Sequence, residues 1–352
     1  RVTVKTPVTA TIDNNGRYEP AAPGATVTSR FVLVKRAGNW RISALENGIL
    51  ISESDLEVTF RPFTVYFGDP TGQYLVPDLH WLPAALRNPS LPELPTALVR
   101  ALLAGPSEWL ANSVITGAPS NTNMAVAAVV VADDVATVDL TDQVRNATTK
   151  QRQLLIQQLQ ATLGQLGIGS VEITVRRLAF DVPSGPSRDS IDPSQPGGQL
   201  MTDPRVDTRP VAIDAKGRVA RLEGGTLTPI AGLGGLAVAG VNRPAVSVDS
   251  SSYAALNADR SKLLLQRPGA KALTLVSSTD LVAPSFDPLG WVWTAPETNT
   301  GFVYAAGVDA DPIKVKVPWL KGAETVSLRM SRDGTRAAVA ARLRGRDRLF
   351  FT

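Results

Sequence analysis

The stretch TTKQRQLLIQQLQATLGQLGIGSVEITV, residues 148–175, decides how the middle of this chain is read. Thr148 and Gln151 have the spacing of a capping box, in which the threonine hydroxyl accepts from an early helical N–H and the glutamine reaches back to the cap. Leu155, Leu159, Leu163 and Leu166 then recur on one helical face. Gly167-Ile168-Gly169 stops the helix, and Val171-Glu172-Ile173-Thr174-Val175 alternates as a strand. Working back, Val135 to Leu140 and Met124 to Ala132 read as strands hinged at Asp133-Asp134. Leu91 to Ala104 reads as a helix stopped by Gly105-Pro106, and Phe63 to Phe67 as a strand ended by Gly68-Asp69-Pro70. The order strand, helix, strand, strand, helix, strand implies one sheet with two helices on a face, an α+β domain over residues 61–181.

On either side the grammar is all-β. Residues 1–60 alternate in strand fashion through Val2, Val4, Val8, Ala10 and Ile12. Asn14-Asn15-Gly16, Ala37-Gly38-Asn39 and Asn47-Gly48 serve as turns, giving a small antiparallel domain that opens abruptly, as if an upstream helix were absent. Residues 182–209 are rich in Pro, Ser and Gly and read as a linker. Beyond Pro210 a turn recurs: Ile213 to Gly217, Leu256 to Arg260, Phe286 to Gly290 and Met330 to Gly334, each followed by a strand. Antiparallel units repeating about every 40 residues are the signature of β-propeller blades. Because the sequence ends at Leu349-Phe350-Phe351-Thr352 in what reads as a strand, the propeller over 210–352 is expected to be partial. The fold class is therefore multidomain, α+β and all-β.

Composition narrows the chemistry. There is no cysteine and one histidine, so thiolate chemistry and two-histidine metal sites are excluded, and a Ser-His-Asp centre would have to use His80. The formal charge is +4, with Lys and Arg spread along the chain, and the densest group, Arg342, Arg344, Arg346 and Arg348, is diluted by Asp347. Nucleic-acid binding is not expected. The longest apolar run, Met124 to Ala132, falls short of the roughly 18 residues a spanning helix needs. The first residues carry no export leader.

Gly232-Leu233-Gly234-Gly235-Leu236-Ala237 matches a dinucleotide fingerprint, but the residues after it, Val238 to Pro244, are poor helix formers. Asp309 and Asp311 lack the remaining ligands of a calcium loop. Asp133-Asp134 and Asp139 with Asp142 could pose as paired acids, yet turn chemistry accounts for both. His80 and Trp81 are assigned to a loop, the histidine as a packed or surface residue. No catalytic, cofactor or metal residue is assigned and no enzyme activity is expected. Trp291 and Trp293 lie on one strand face, where packing against the next blade competes with ligand contact; with Trp319 they are the residues to which partner or glycan binding is assigned.

Phe63 to Pro70, Tyr74-Leu75-Val76-Pro77-Asp78, Leu102 to Ser107 and Ala136 to Thr141 resemble the GerMN domain. With a β-rich domain bearing Trp40-Arg41-Ile42 before it and propeller repeats after it, the whole chain resembles the LpqB family of actinobacterial envelope lipoproteins. The resemblance implies a non-enzymatic, extracytoplasmic accessory protein, held at the membrane by an N-terminal lipid whose acceptor cysteine is not in this sequence. It implies association with the sensor domain of the MtrB histidine kinase and modulation of MtrA-MtrB signalling in envelope homeostasis and division. The alternative is a propeller that binds an envelope glycan such as peptidoglycan through its aromatic residues.

Overall fold

A computed structural model describes residues 1–86, 93–182, 200–202 and 207–352. They fall into two compact units, Arg1–Thr202 and Asp203–Thr352. Most of the expected 182–209 linker, residues 183–199 and 203–206, lies outside the described residues.

The first unit begins with β1 (Val2–Pro7), β2 (Ala10–Ile12), β3 (Tyr18–Pro20), β4 (Thr26–Arg36) and β5 (Asn39–Leu45). They make a sheet ordered β1-β4-β5 and a separate β2-β3 hairpin, both antiparallel. Asp13 shapes the β2-β3 turn by accepting from the N–H groups of Asn15 and Arg17 at 2.8 and 2.9 Å. Asn47-Gly48 does not return a strand as expected. The chain runs instead into a short helix, α1 (Glu53–Thr59), whose Ser52 entry and acidic first turn suit a helix N-terminus.

Next come β6 (Phe60–Gly68), β7 (Leu75–Pro83), α2 (Glu93–Leu103), β8 (Val130–Ala132), β9 (Val135–Leu140), α3 (Thr149–Gly164), β10 (Ser170–Val175) and β11 (Leu178–Ala179). The capping box is present: Thr148 N–H donates to Gln151 Oε1 at 2.9 Å and Thr148 Oγ1 accepts from Gln151 N at 3.3 Å. Leu155, Leu159 and Leu163 are fully buried in one core with Phe67, Leu98 and Val138. Three expectations are corrected here. Residues 75–83, His80 included, form a strand and not a loop, because a full-length antiparallel pairing with β6 accommodates Pro77 and Pro83. The apolar run 124–132 is a strand only at its end; before that Ala125 N–H goes to Asp139 O and Val129 N–H to Thr96 Oγ1, bonds that hold the segment bent. Among the described residues the domain has two sheets and not one, the β6-β7 pair and a four-stranded sheet ordered β11-β10-β9-β8, with β9 and β10 parallel across α3. Helix α3 packs on both β6 and β10. Buried Gln158 fixes the join: its Nε2 donates to Tyr66 O at 2.8 Å and its Oε1 accepts from Gly117 N at 2.7 Å. Gly117 lies so close to α3 that a Cβ there would stand 2.3 Å from Leu155 N.

The second unit contains β12 (Val211–Ile213), β13 (Val219–Glu223), β14 (Thr226–Pro229), α4 (Gly234–Val238), β15 (Asn242–Val246), β16 (Tyr253–Leu256), β17 (Lys262–Gln266) and β18 (Leu273–Ser277). It continues with β19 (Ser285–Phe286), β20 (Val292–Thr294), β21 (Phe302–Ala306), β22 (Ile313–Lys316), β23 (Glu324–Met330), β24 (Ala337–Leu343) and β25 (Arg346–Phe351). Four antiparallel sheets follow in chain order, β12-β13-β14, β15 to β18, β19 to β22 and β23-β24-β25. The first strands of successive sheets are neighbours, and a separate apolar core fills each space between adjacent sheets, the arrangement of propeller blades.

The recurring turn is real, but one copy was assigned to the wrong place. Asp214, Asp287 and Asp333 cap the hairpins between the first and second strands of sheets one, three and four. Leu256 to Arg260 instead joins the second and third strands of sheet two. The equivalent turn there is Ser247-Val248-Asp249: Ser247 Oγ donates to Asp249 at 2.5 Å and accepts from Ser252 N at 3.0 Å. Ser331 and Asp333 repeat that pattern bond for bond. Sheets two and four thus share one turn chemistry, and sheets one and three another, in which a single aspartate accepts from the second and fourth N–H beyond it.

Candidate functional site

The one histidine belongs to a buried polar knot in the first unit. β7 carries Asp78 and His80 on the same strand face, both essentially without solvent contact. Asp78 Oδ1 accepts from Ser107 Oγ at 2.9 Å and Oδ2 from Ser107 N–H at 2.7 Å, while His80 Nε2 lies 3.3 Å from Oδ2. On its other side His80 Nδ1 donates to Asn15 O at 2.6 Å, because a carbonyl can only accept. Burial pushes the Asp78 carboxyl up, but the hydrogen bonds from His80 and Ser107 outweigh it and hold the group below the usual carboxylate range.

These are the residue types of a hydrolase triad in the wrong order. A serine nucleophile must give its proton to the histidine, and the histidine must be oriented by the acid. Here the aspartate is central, Ser107 Oγ donates to it directly, and all three side chains are buried. The knot instead fastens the β2-β3 hairpin tip to the α+β module. Trp81 N–H donates to Gly16 O at 2.7 Å, and Arg17 Nη2 donates to Ala104 O and Gly105 O at 2.9 and 2.7 Å. Gly16 has φ +82°, and a Cβ on it would stand 2.8 Å from Trp81 O, so glycine is required twice over. Neither Ser107 nor Asn15 was singled out from sequence. The signals were the Asn14-Asn15-Gly16 turn and the Gly105-Pro106-Ser107 helix stop, which nothing linear connects.

The other candidates resolve into local structure. Asp133 and Asp134 both have positive φ and form the β8-β9 turn. Asp139 accepts from Thr174 Oγ1 and Arg177 N–H, and Asp142 pairs with Arg176 and Arg145, whose charges hold its carboxyl below the ordinary range. Asp309 and Asp311 are exposed, and among the described residues no cluster of three His, Cys, Asp or Glu could hold a metal ion. As expected, no helix follows the Gly232 to Ala237 motif: α4 has five residues, begins within the motif and ends at Val238, and its Leu236 N–H is taken by Gln266 Oε1 at 3.0 Å. Its glycines serve close packing: a Cβ on Gly232 would stand 2.5 Å from Gly269 N, and one on Gly235 2.9 Å from the Ala272 methyl.

Trp291, Trp293 and Trp319 do not form one platform. Trp293 packs on the core between sheets three and four, with Nε1 donating to Asp287 Oδ2 at 2.9 Å. Trp291 lies over Gly307, within 3.5 Å of where its Cβ would be. Trp319 is 36% exposed and rests against Phe350, with ring centroids 4.7 Å apart. Of the three, Trp319 offers the most ring surface to a ligand.

These features define a class before a family: a β-rich, modular protein in which blade-like sheets follow an α+β module. Three family models match in chain order. They are the LpqB lipoprotein N-terminal domain over residues 1–57, the sporulation and spore germination domain over 64–176, and the LpqB lipoprotein β-propeller domain over 217–349. Proteins named lipoprotein LpqB are similar along the chain. That of Thermobifida fusca is 28% identical over 389 residues, covering 96% of this chain and 60% of its own length. That of Bifidobacterium longum is 28% identical over 346 residues, covering 96% and 55%. The chain belongs to the LpqB family, and it spans between half and two thirds of the length of these relatives. The tandem GerMN domains of the sporulation protein GerM from Bacillus subtilis align at 18% identity and a TM-score of 0.29 over 62% of this chain and 61% of that one, too low to add to the fold.

Proposed function

We propose that this protein is a non-enzymatic, extracytoplasmic lipoprotein that binds the sensor domain of an MtrB-type histidine kinase and modulates two-component signalling at the cell envelope. The observation that carries the reading is the family match through all three modules in order. The Asp78-His80-Ser107 knot, with its serine committed to the aspartate and its histidine to a backbone carbonyl, accords with a binding role. To change signalling, the protein must bind one kinase state more tightly than the other, since equal affinity shifts nothing.

The test is calorimetric titration of the 352-residue chain into the isolated sensor domain, together with autophosphorylation of the intact kinase. Binding with altered autophosphorylation is expected. Absence of both sinks the reading and promotes the second one, an envelope-glycan binder, which the exposed Trp319-Phe350 pair favours. In that case Trp319→Ala abolishes retention on peptidoglycan.

A further inference from the structure

The first sheet has an apolar face that stands largely exposed among the described residues. Directly paired residues share a face in antiparallel strands, and Val2 pairs with Phe31, Phe31 with Leu45, Leu33 with Ile42 and Lys35 with Trp40. Phe31, Leu33 and Lys35 alternate onto one side of β4, so Val2, Phe31, Leu33, Trp40 and Ile42 line a single surface. Trp40 is 67% exposed, Ile42 54% and Leu45 53%. A tryptophan so exposed beside aliphatic neighbours is unusual on a surface that has only water to meet.

The charge is equally uneven. Residues 1–51 hold seven Lys and Arg against three Asp and Glu, so they account for the whole +4 of the chain, and the remaining residues balance. Three of those cations, Lys35, Arg36 and Arg41, flank the two-residue turn Ala37-Gly38 at the tip of the β4-β5 hairpin, and none of them makes an ion pair among the described residues. Lys35 stands directly across from Trp40.

We propose that the β4-β5 hairpin and the apolar face behind it dock on an anionic lipid bilayer. Trp40 would sit at the headgroup level, and Lys35, Arg36 and Arg41 would meet the lipid charge. Amphipathic rings favour the interface between hydrocarbon and water, and basic side chains beside an apolar surface are attracted by acidic headgroups. An unpaired basic tip on an apolar sheet favours this occupant over a second copy of the same positively charged domain, whose like charges would repel at close approach. The inference does not rest on kinase binding.

The test is flotation of the 352-residue chain with vesicles of phosphatidylcholine alone or mixed with phosphatidylglycerol, with tryptophan quenching by brominated lipid. Binding should need phosphatidylglycerol and weaken with salt. Lys35→Glu/Arg36→Glu/Arg41→Glu should lower it by tenfold or more, and Trp40→Ala should weaken it and remove most of the quenching, with circular dichroism unchanged in both. Several results overturn the proposal: no flotation with either vesicle, equal binding to both, or quenching that survives Trp40→Ala. A dimer that Trp40→Ala dissociates, without vesicle binding, would give the face to a second copy. Loss of kinase-domain binding in Trp40→Ala, again without vesicle binding, would give it to that protein.

Discussion

Asp78→Asn tests whether the buried knot holds the hairpin tip to the α+β module. The substitution keeps shape and removes charge. In the parent, one carboxylate faces Ser107 N–H, Ser107 Oγ–H and His80 Nε2 at 2.7, 2.9 and 3.3 Å. Asparagine has one accepting oxygen, and its amide N–H₂ must point at a donor. With hydrogen bonds to a buried charge contributing ~1.5–3 kcal/mol each, the variant should lose about 3 kcal/mol. For a unit of this size that is a fall in Tm of about 6–12 °C. Urea unfolding followed by circular dichroism measures the loss, and hydrogen exchange locates it: the Trp81 amide, bonded to Gly16 O, should exchange faster while amides inside α3 change less. Because the folded carboxyl titrates below its ordinary 3.8, the stability it contributes is present above that value and lost as pH falls through the lower, folded one. The gap between parent and variant should therefore close in acid. A loss under about 0.5 kcal/mol at neutral pH, or a uniform rise in exchange, refutes a knot that fastens the two modules.

Gly117→Ala should cost about 3 kcal/mol or prevent folding, because its methyl would meet the α3 backbone at Leu155 N and Gln151 O, whereas Gly164→Ala, in open space on the same helix, should stabilise by roughly 0.5–1 kcal/mol; thermal melts of the pair decide the matter. Thr148→Ala removes the capping box and should cost about 1 kcal/mol in urea titration, with Thr148→Ser close to the parent. Burial raises the Asp333 carboxyl, but the Ser331 and Thr335 hydroxyls, the Thr335 N–H and Arg336 outweigh it and hold it down. Asp333→Asn should thus lose about 1–2 kcal/mol at neutral pH and nothing once the pH is below the folded value, as read from melts across an acid series.

Helix α3 and β10 were legible because a period, a cap and a glycine stop agree over 28 residues, and agreement between levels is what makes a segment fold as it reads. The turns between blade strands were legible as Asx chemistry. Ser247-Val248-Asp249 escaped because it lies in a run of serines with no glycine to mark the reversal, which serine hydroxyl bonds tie instead. β7 escaped because Pro77 and Pro83 argue against a strand, and only the partner β6 overrides them. The run 124–132 misled in the opposite sense: its composition is strand-like, but Val129 N–H goes to Thr96 Oγ1 on α2, and only residues 130–132 pair in continuous register with β9. The buried knot was beyond linear reading altogether, since its members come from a hairpin tip, a strand and a helix stop. The apolar face of the first sheet was visible as alternation, but its exposure among the described residues is known only from the structure.

The fastening of Arg17 to Ala104 spans 87 residues of chain, and it sets an order of events during synthesis. The β2-β3 hairpin emerges long before the strand and helix stop that receive it, and closing so long a loop is slow compared with closing a hairpin. In the second unit each blade strand pairs with one that has only just been made. Vectorial folding therefore leaves the β2-β3 hairpin tip waiting, with Arg17 lacking its carbonyl partners, until residues 104–107 have emerged. During that interval any factor that shields exposed apolar strands has its longest access to this part of the chain.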